Sequence, residues 1–406
     1  MSVDPLVIIG AGQAAGQLVA SLAQERFAGS VTVVGDEPHP PYQRPPLSKK
    51  FLAGEIELDR LFVKPAAFYD KAGTMLMLDT RVASIDRQAR TISTGTGPAL
   101  RYSTLVIATG SRPRTLALPG AGLEGVMYLR TIADVQAIRR HLEPGRRLVI
   151  VGGGYIGLEL AAVAAKRGVA VTVLEQAPRV MARGVGPIVS AFYERLHREE
   201  GVTIATGTAV TGFDGNGRLE QVICDGLQLA ADLVVVGVGA IPNSELAREA
   251  GLAVDNGIVV DGQCRTQDPA IHAIGDCASQ SHPLLDQRLR LESVHSALEQ
   301  ARTVAAAICG RPAPTIQTPW FWSDQYDVKL QMAGLSARHD AVVVRGDPDR
   351  GRSFAVFYLR QGELVAVDAV NRAPEFMMSK QLIAERSRVD PAKLSDERVA
   401  MKDVRL

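Results

Sequence analysis

Short apolar runs that stop at a glycine recur along this chain. Val7-Ile-Ile-Gly10 and Leu148-Val-Ile-Val-Gly152 form one pair, and Leu105-Val-Ile-Ala-Thr-Gly110 and Leu233-Val-Val-Val-Gly-Val-Gly239 form a second. Runs of this length, bounded by turn residues, predict buried strands. After the first, residues 13–26 place Leu18, Val19 and Leu22 on one side of a predicted helix. Residues 31–34 form the next predicted strand, and Asp36 and Glu37 follow it. The same order returns at 148–151, with a helix over 155–167 closed by Gly168 and a strand over 169–174 capped by Glu175. Strand, glycine turn, helix, strand is the nucleotide-binding βαβ unit. Its repetition is the strongest architectural signal in the chain.

Ala273-Ile-Gly275-Asp276 follows a further short strand, and the reading places Asp276 at the start of a helix. Past Thr315 the pattern changes. Residues 342–345, 354–359 and 364–370 read as antiparallel strands, the last two joined by a hairpin at Gln361-Gly362. Residues 374–386 read as a helix with proline in its first turn. The predicted fold is of the α/β class: two Rossmann-like dinucleotide-binding domains, the second inserted in the first, plus a C-terminal α+β domain. The expected boundaries are 1–113 and 241–316 for the first domain, 114–240 for the second and 317–406 for the third.

The 406 residues suit roughly three domains. With 46% hydrophobic and 22% charged residues, the composition is that of a soluble globular enzyme. A net charge of +1 argues against bulk attraction to nucleic acid or membranes. The longest apolar runs, such as 233–242, fall short of the ~20 residues that span a bilayer. The first strand begins within a few residues of Met1, which leaves no room for a signal peptide and predicts a cytoplasmic location. Cys224, Cys264, Cys277 and Cys309 form no CxxC pair, and the seven histidines lack metal-ligand spacing, so no metal site is expected.

In the first fingerprint, Gly10 permits the tight turn and Gly12 lets a pyrophosphate approach the backbone. Ala15 or Gly16 allows close packing of helix and strand. The helix N-terminus offers free N–H groups and a partial positive charge. Asp36 and Glu37 both qualify as acceptors for the adenosine ribose. In the second fingerprint, Gly152, Gly154 and Gly157 take the same parts, with Ile156 in the first helical turn. Glu175 follows at close to the roughly 20-residue interval of a ribose-binding acid. Its carboxylate accepts from both ribose hydroxyls of NADH and repels a 2′-phosphate by about 1–4 kcal/mol at ~4 Å. Arg179 and Arg183 lie just beyond it, which leaves some tolerance of NADPH open. Two dinucleotides on one chain is the arrangement needed to pass a hydride between rings stacked at about 3–3.5 Å.

The chain resembles the flavin- and nicotinamide-dependent pyridine nucleotide reductases with two dinucleotide-binding domains. Within them it most resembles the ferredoxin reductases of bacterial monooxygenase systems, of the putidaredoxin reductase type. The motifs that carry this likeness are Pro41-Tyr-Gln-Arg44-Pro-Pro-Leu-Ser-Lys49, Thr109-Gly110, Tyr128-Leu-Arg130-Thr, Gly152 to Glu159, Gly275-Asp276, Glu292-Ser-Val294 and Pro319-Trp-Phe-Trp-Ser-Asp324-Gln. The resemblance implies that the first fingerprint holds tightly bound FAD and the second exchangeable NADH. It implies Arg44 and Lys49 beside the flavin cofactor, Val82 near the adenine through its backbone, and Ala108, Thr109 and Gly110 at the strand end. It also implies Arg130 near the phosphates or flavin edge, Asp276 on the ribityl chain and Val294 at the isoalloxazine edge; Arg183 and Gly239 are further candidate cofactor-binding residues. Glu159 is implied near the nicotinamide, paired with Lys49. A buried Lys–Glu pair is costly unless both partners are present, so the two are expected to form an ion pair.

Disulfide reductases of this superfamily carry a cysteine pair on the first FAD-domain helix, and peroxidase-type relatives carry one cysteine. The corresponding residues 38–52 contain none, so the resemblance argues against electron relay through a thiol. The expected exit is from flavin directly to a docked two-iron, two-sulfur ferredoxin that feeds a haem–thiolate or ring-hydroxylating oxygenase. Trp320, Phe321 and Trp322 are candidates to line the flavin or anchor docking, the alternative being a seam between domains. Arg302, Lys380 and Lys402 are candidate docking cations. Two rival readings are a rubredoxin reductase and an NADH-responsive binding protein like apoptosis-inducing factor.

Overall fold

The computed structural model describes residues 5–95, 97–282, 287–337 and 339–406. The chain packs as two compact units. One comprises Met1–Arg44, Glu57–Arg112 and Ala240–Gln317, and the other comprises Pro45–Ile56, Pro113–Gly239 and Thr318–Leu406.

The first unit is built on a five-stranded parallel sheet in the order Ile271–Ala273, Thr104–Ile107, Leu6–Ile9, Val31–Val34, Thr74–Met77. The central strand Leu6–Ile9 is apolar at every position because both sheet faces are covered. Leu6 and Ile8 pack into a core with Leu18, Val19, Leu22, Ala301 and Val304. That core joins the sheet to the helices Gln13–Gln24 and Val294–Ile308. Val7 and Ile9 face the opposite side, with Leu105, Ile107, Ile92 and Tyr102.

The second unit repeats the plan. Its parallel sheet runs Thr203–Thr206, Ala170–Glu175, Arg147–Val151, Leu233–Val236, Val126–Tyr128. The helix Tyr155–Lys166 follows the central strand. The C-terminal portion is a five-stranded antiparallel sheet, ordered Trp320–Gln325, Val328–Gly334, Glu363–Val370, Phe354–Arg360, Ala341–Gly346. The helix Ala373–Ala384 packs on it. The hairpin expected at Gln361-Gly362 is present, and both residues have positive φ, +52° and +81°, as a two-residue turn of this twist requires. The first two strands of this sheet were not expected from the sequence. One expectation is corrected: Asp276 lies in a single 3₁₀ turn, Gly275–Cys277, which runs into the strand Ala278–His282 rather than into a helix.

Segment Pro45–Ile56 owes its place in the second unit to its own apolar residues. Leu47, Phe51 and Leu52 are buried. Arg139 donates to the Phe51 carbonyl and stacks on the Phe51 ring.

Candidate functional site

In the first unit, Gly10 has φ +104°, and a Cβ there would lie 2.3 Å from the Ala108 carbonyl oxygen. Only glycine allows the strand end at Ala108-Thr109 to cross so closely. Gly12 is the residue before the helix Gln13–Gln24, and no side chain caps that terminus. A Cβ at Gly12 would meet nothing within 4 Å. The open space therefore sits where unsatisfied N–H groups and the helix dipole favour an anion. Ala15 is fully buried against the sheet, and Gly16 is where Pro41 and Val63 approach, at 2.9 and 3.0 Å from a Cβ. The two small residues thus serve different contacts.

The acids after the second strand differ in their surroundings. Glu37 accepts from Tyr42 Oη at 2.6 Å and Arg44 Nη2 at 2.8 Å, while Asp36 is exposed. Burial opposes the Arg44 charge, but Tyr42, Glu37 and Asp276 outweigh it and hold the guanidinium above its ordinary pKa. Thr80 N–H donates to the Gly35 carbonyl at 2.8 Å, which brings the half-buried Val82 segment to the same strand end. Asp276 accepts from Ser111 Oγ at 2.8 Å. Gly275 N–H donates to Gln300 Oε1 at 2.7 Å, and a Cβ at Gly275 would lie 3.3 Å from Ala14 in the first helical turn. Thr109 and Gly110 are tied to Asn243 by three bonds of 2.6–2.9 Å. Val294 opens the helix Val294–Ile308, capped by the Ser293 hydroxyl. Arg130 and Trp322, in contrast, belong to the second unit. Arg130 precedes the Thr131–Asp134 capping box of the helix Ile132–Arg139.

The second fingerprint has the same local geometry. Gly152 has φ +108°, with a would-be Cβ 2.5 Å from the Gly237 carbonyl oxygen, and Gly157 would place one 2.3 Å from the Gly152 carbonyl oxygen. Gly154 precedes an uncapped helix and has nothing within 4 Å of a Cβ. Ile156, in the first turn, is 46% exposed. Glu175 accepts from Gly153 N–H and Ala177 N–H, both at 2.7 Å, one on each oxygen. Each oxygen retains a lone pair for a hydroxyl. Arg179 is consumed by structure: it donates to the carbonyls of Ala182 and Val185 and to Ser190 Oγ. Arg183 is exposed and lies 3.3 Å from a would-be Cβ on Gly239.

The expected Lys49–Glu159 ion pair is formed within the second unit, Nζ to Oε2 at 2.7 Å. Glu159 is only 3% exposed, so it needs more than one donor. Ser48 Oγ donates to Oε2 at 2.5 Å, and Ser323 Oγ donates to Oε1 at 2.6 Å. These two serines were missed from sequence. Both lie in the quoted motifs, but the first was read for its charges and the second for its aromatic residues.

On the strand Trp320–Gln325, Phe321 packs on Tyr155 with ring centroids 4.9 Å apart, whereas Trp320 packs on Phe376 and Trp322. Lys380 lies over the Trp320 and Phe376 rings. Arg302 and Lys402 are exposed.

The residues present fit two dinucleotides. Each cradle combines an uncapped helix N-terminus, a glycine with open space above it and an acid after the second strand. No helix is long and apolar enough to cross a membrane among the described residues.

Comparison with known proteins agrees with this architecture. Residues 4–301 match the family described as pyridine nucleotide-disulphide oxidoreductase, and residues 320–405 match a reductase C-terminal domain. The chain is 45% identical to putidaredoxin reductase of Pseudomonas putida, covering 99% of this chain and 96% of that protein. It is 42% identical to the ferredoxin–NAD(+) reductase component of the anthranilate 1,2-dioxygenase system of Burkholderia cepacia, covering 99% of each. It superposes on a chain of the covalent putidaredoxin reductase–putidaredoxin complex with a TM-score of 0.96 and 44% identity, covering 100% of this chain and 98% of that one. With both nucleotide folds and the C-terminal sheet in place, this chain belongs to the pyridine nucleotide-disulphide oxidoreductase family.

Proposed function

We propose that the chain is an FAD-containing, NADH-dependent reductase that delivers electrons to a two-iron, two-sulfur ferredoxin of an oxygenase system. The observation that carries this reading is full-length likeness to reductases of such systems, joined to two nucleotide cradles of matching geometry. Residues 1–113 and 241–316 form the FAD domain, except that Pro45–Ile56 packs with the second unit, while 114–240 form the NADH domain and 317–406 the C-terminal domain. When bound, NADH supplies two electrons as a hydride, and FAD accepts the pair and releases electrons singly.

The protein's part is to bind and orient. In the first cradle, Gly10, Gly12 and Ala15 shape the phosphate turn. Asp36 and Glu37 are the candidate ribose acceptors, Glu37 being held by Tyr42 and Arg44 with one donor on each oxygen. Asp276 takes the ribityl hydroxyls, with Ser111 fixing one of its oxygens. Val82, Ala108, Thr109, Gly110, Gly275 and Val294 complete the contacts. In the second cradle, Gly152, Gly154, Ile156 and Gly157 receive the pyrophosphate, Glu175 reads the ribose, and Arg183 and Gly239 lie at the strand end. Lys49 and Glu159 orient the nicotinamide. Burial pushes the Cys264 and Cys277 thiols up in pKa, which disfavours the thiolate a relay would need. Exposed Arg302 in the first unit, and Trp322, Lys380 and exposed Lys402 in the second, are the candidate contacts for an acidic ferredoxin.

Stopped-flow reduction of the yellow holoprotein tests the reading. NADH bleaches the flavin much faster than NADPH, and adding a two-iron ferredoxin with a cytochrome as final acceptor gives sustained turnover. Transfer to rubredoxin alone supports the rubredoxin reading instead. Slow turnover with every acceptor, and a long-lived NADH-reduced complex, supports the binding-protein reading.

A further inference from the structure

Glu159 ends a chain of hydrogen bonds, buried from His197 onward, that starts at Tyr326 in the turn after the strand Trp320–Gln325. Ser323 Oγ donates to Glu159 Oε1 at 2.6 Å, and Gln325 Nε2 donates to Ser323 Oγ at 3.1 Å. His197 Nε2 lies 2.8 Å from Gln325 Oε1, and Tyr326 Oη lies 3.1 Å from His197 Nδ1. The polarity of the chain follows from its members. Gln325 Oε1 can only accept, so Nε2 of His197 carries the proton and Nδ1 accepts from Tyr326. Burial lowers the His197 pKa to about 4, so the ring is neutral near pH 7 and the assignment holds. Every donor therefore points toward Glu159.

The strand Trp320–Gln325 explains how this is built. Ser323 and Gln325, two positions apart, share one face of the strand, and both side chains are essentially fully buried. Neither contributes to the apolar core. Among the described residues, their side-chain bonds run to Glu159, to each other and to His197. Glu159 Oε2 is already held by Ser48 and Lys49, so Ser323 is the side chain that fixes Oε1 and hence the plane of the carboxylate.

We propose that Ser323, itself held by Gln325 and His197, is a positioning residue that locks Glu159 in the orientation needed for NADH oxidation. The C-terminal domain thereby takes part in the nicotinamide half of the reaction as well as in any partner docking. The proposal rests on the reading that Glu159 serves the nicotinamide.

The test uses FAD-loaded protein and stopped-flow NADH titrations, which separate the NADH Kd from the limiting rate of flavin reduction. Ser323→Thr and Ser323→Val differ in a hydroxyl but little in shape, so comparing them isolates the donor. The Thr variant is expected to reduce at least tenfold faster than the Val variant at saturating NADH, with Kd values within about twofold, since a hydrogen bond to a charged group is at stake. Ser323→Ala is expected to lose about tenfold in limiting rate and to have no further effect in a Glu159→Gln background. Equal Thr and Val rates, or Ser323→Ala and Glu159→Gln losses that multiply, overturn the proposal while leaving the role of Glu159 intact. A Glu159→Gln rate equal to wild type overturns that role, and the proposal with it.

Discussion

Lys49 and Glu159 stand 110 positions apart in the chain and meet as an ion pair of 2.7 Å, with Glu159 3% and Lys49 16% exposed. Removing one member of such a pair leaves a buried charge uncompensated, which costs about 3–5 kcal/mol, whereas removing both together costs less. Lys49→Met is therefore expected to destabilise the protein by roughly 3 kcal/mol. Lys49→Met/Glu159→Gln is expected to recover part of that loss. Urea unfolding of both variants checks this, and additive losses would show the pair to be uncoupled.

The two oxygens of Glu175 are held by the Gly153 and Ala177 amides, so its carboxylate is fixed before any nucleotide arrives. Removing its repulsion of a 2′-phosphate is worth about 1–4 kcal/mol. Glu175→Ala is expected to lower the NADH:NADPH ratio of kcat/KM by tenfold or more. An unchanged ratio would move nucleotide discrimination elsewhere.

Gly152 and Gly154 predict opposite failures. At Gly152, alanine meets a carbonyl oxygen at 2.5 Å with φ +108°, so Gly152→Ala is expected to cost several kcal/mol of stability. At Gly154 nothing lies within 4 Å of a Cβ, so Gly154→Ala is expected to keep its unfolding midpoint and lose at least tenfold in NADH affinity. Gly12→Ala is the matching experiment for FAD. Thermal unfolding paired with ligand titration distinguishes the two kinds of defect.

Asp368 is fully buried, accepts from Tyr358 Oη at 2.6 Å and has its pKa raised by burial to about 7. In the unfolded chain the same group ionises near 3.8. Between these values the native state holds the proton that the unfolded state has lost, so stability falls as pH rises through this window. Asp368→Asn keeps the acceptor and removes the ionisation. It is expected to match wild type at about pH 4 and to exceed it at pH 8 by roughly 2–4 kcal/mol. Parallel unfolding curves at both pH values would contradict this.

Exposed Arg302 affords a test of docking. Arg302→Glu is expected to raise the apparent KM for ferredoxin about threefold to tenfold at low ionic strength, to lose that effect at high salt and to leave NADH reduction unchanged. An unaltered KM at low salt would remove Arg302 from the docking surface.

The nucleotide folds were legible in the sequence because their requirements are local. At Gly10 and Gly152 a φ above +100° and a carbonyl oxygen within 2.5 Å of any Cβ together demand glycine, so these two mark the turns by residue type alone. The Gln361-Gly362 hairpin was legible for a similar reason, since its turn geometry resides in two residues. Asp276 was only partly so: its place after a strand was clear, but the brevity of the 3₁₀ turn depends on the strand that follows. The polar setting of Glu159 was decided by tertiary structure. Ser48 and Ser323 reach it from 111 and 164 positions away, and His197 reaches Gln325 across 128. Sequence spacing carries no record of such meetings. They arise when a strand of the C-terminal sheet turns one polar face onto a helix of the second nucleotide fold, where a buried carboxylate must find donors.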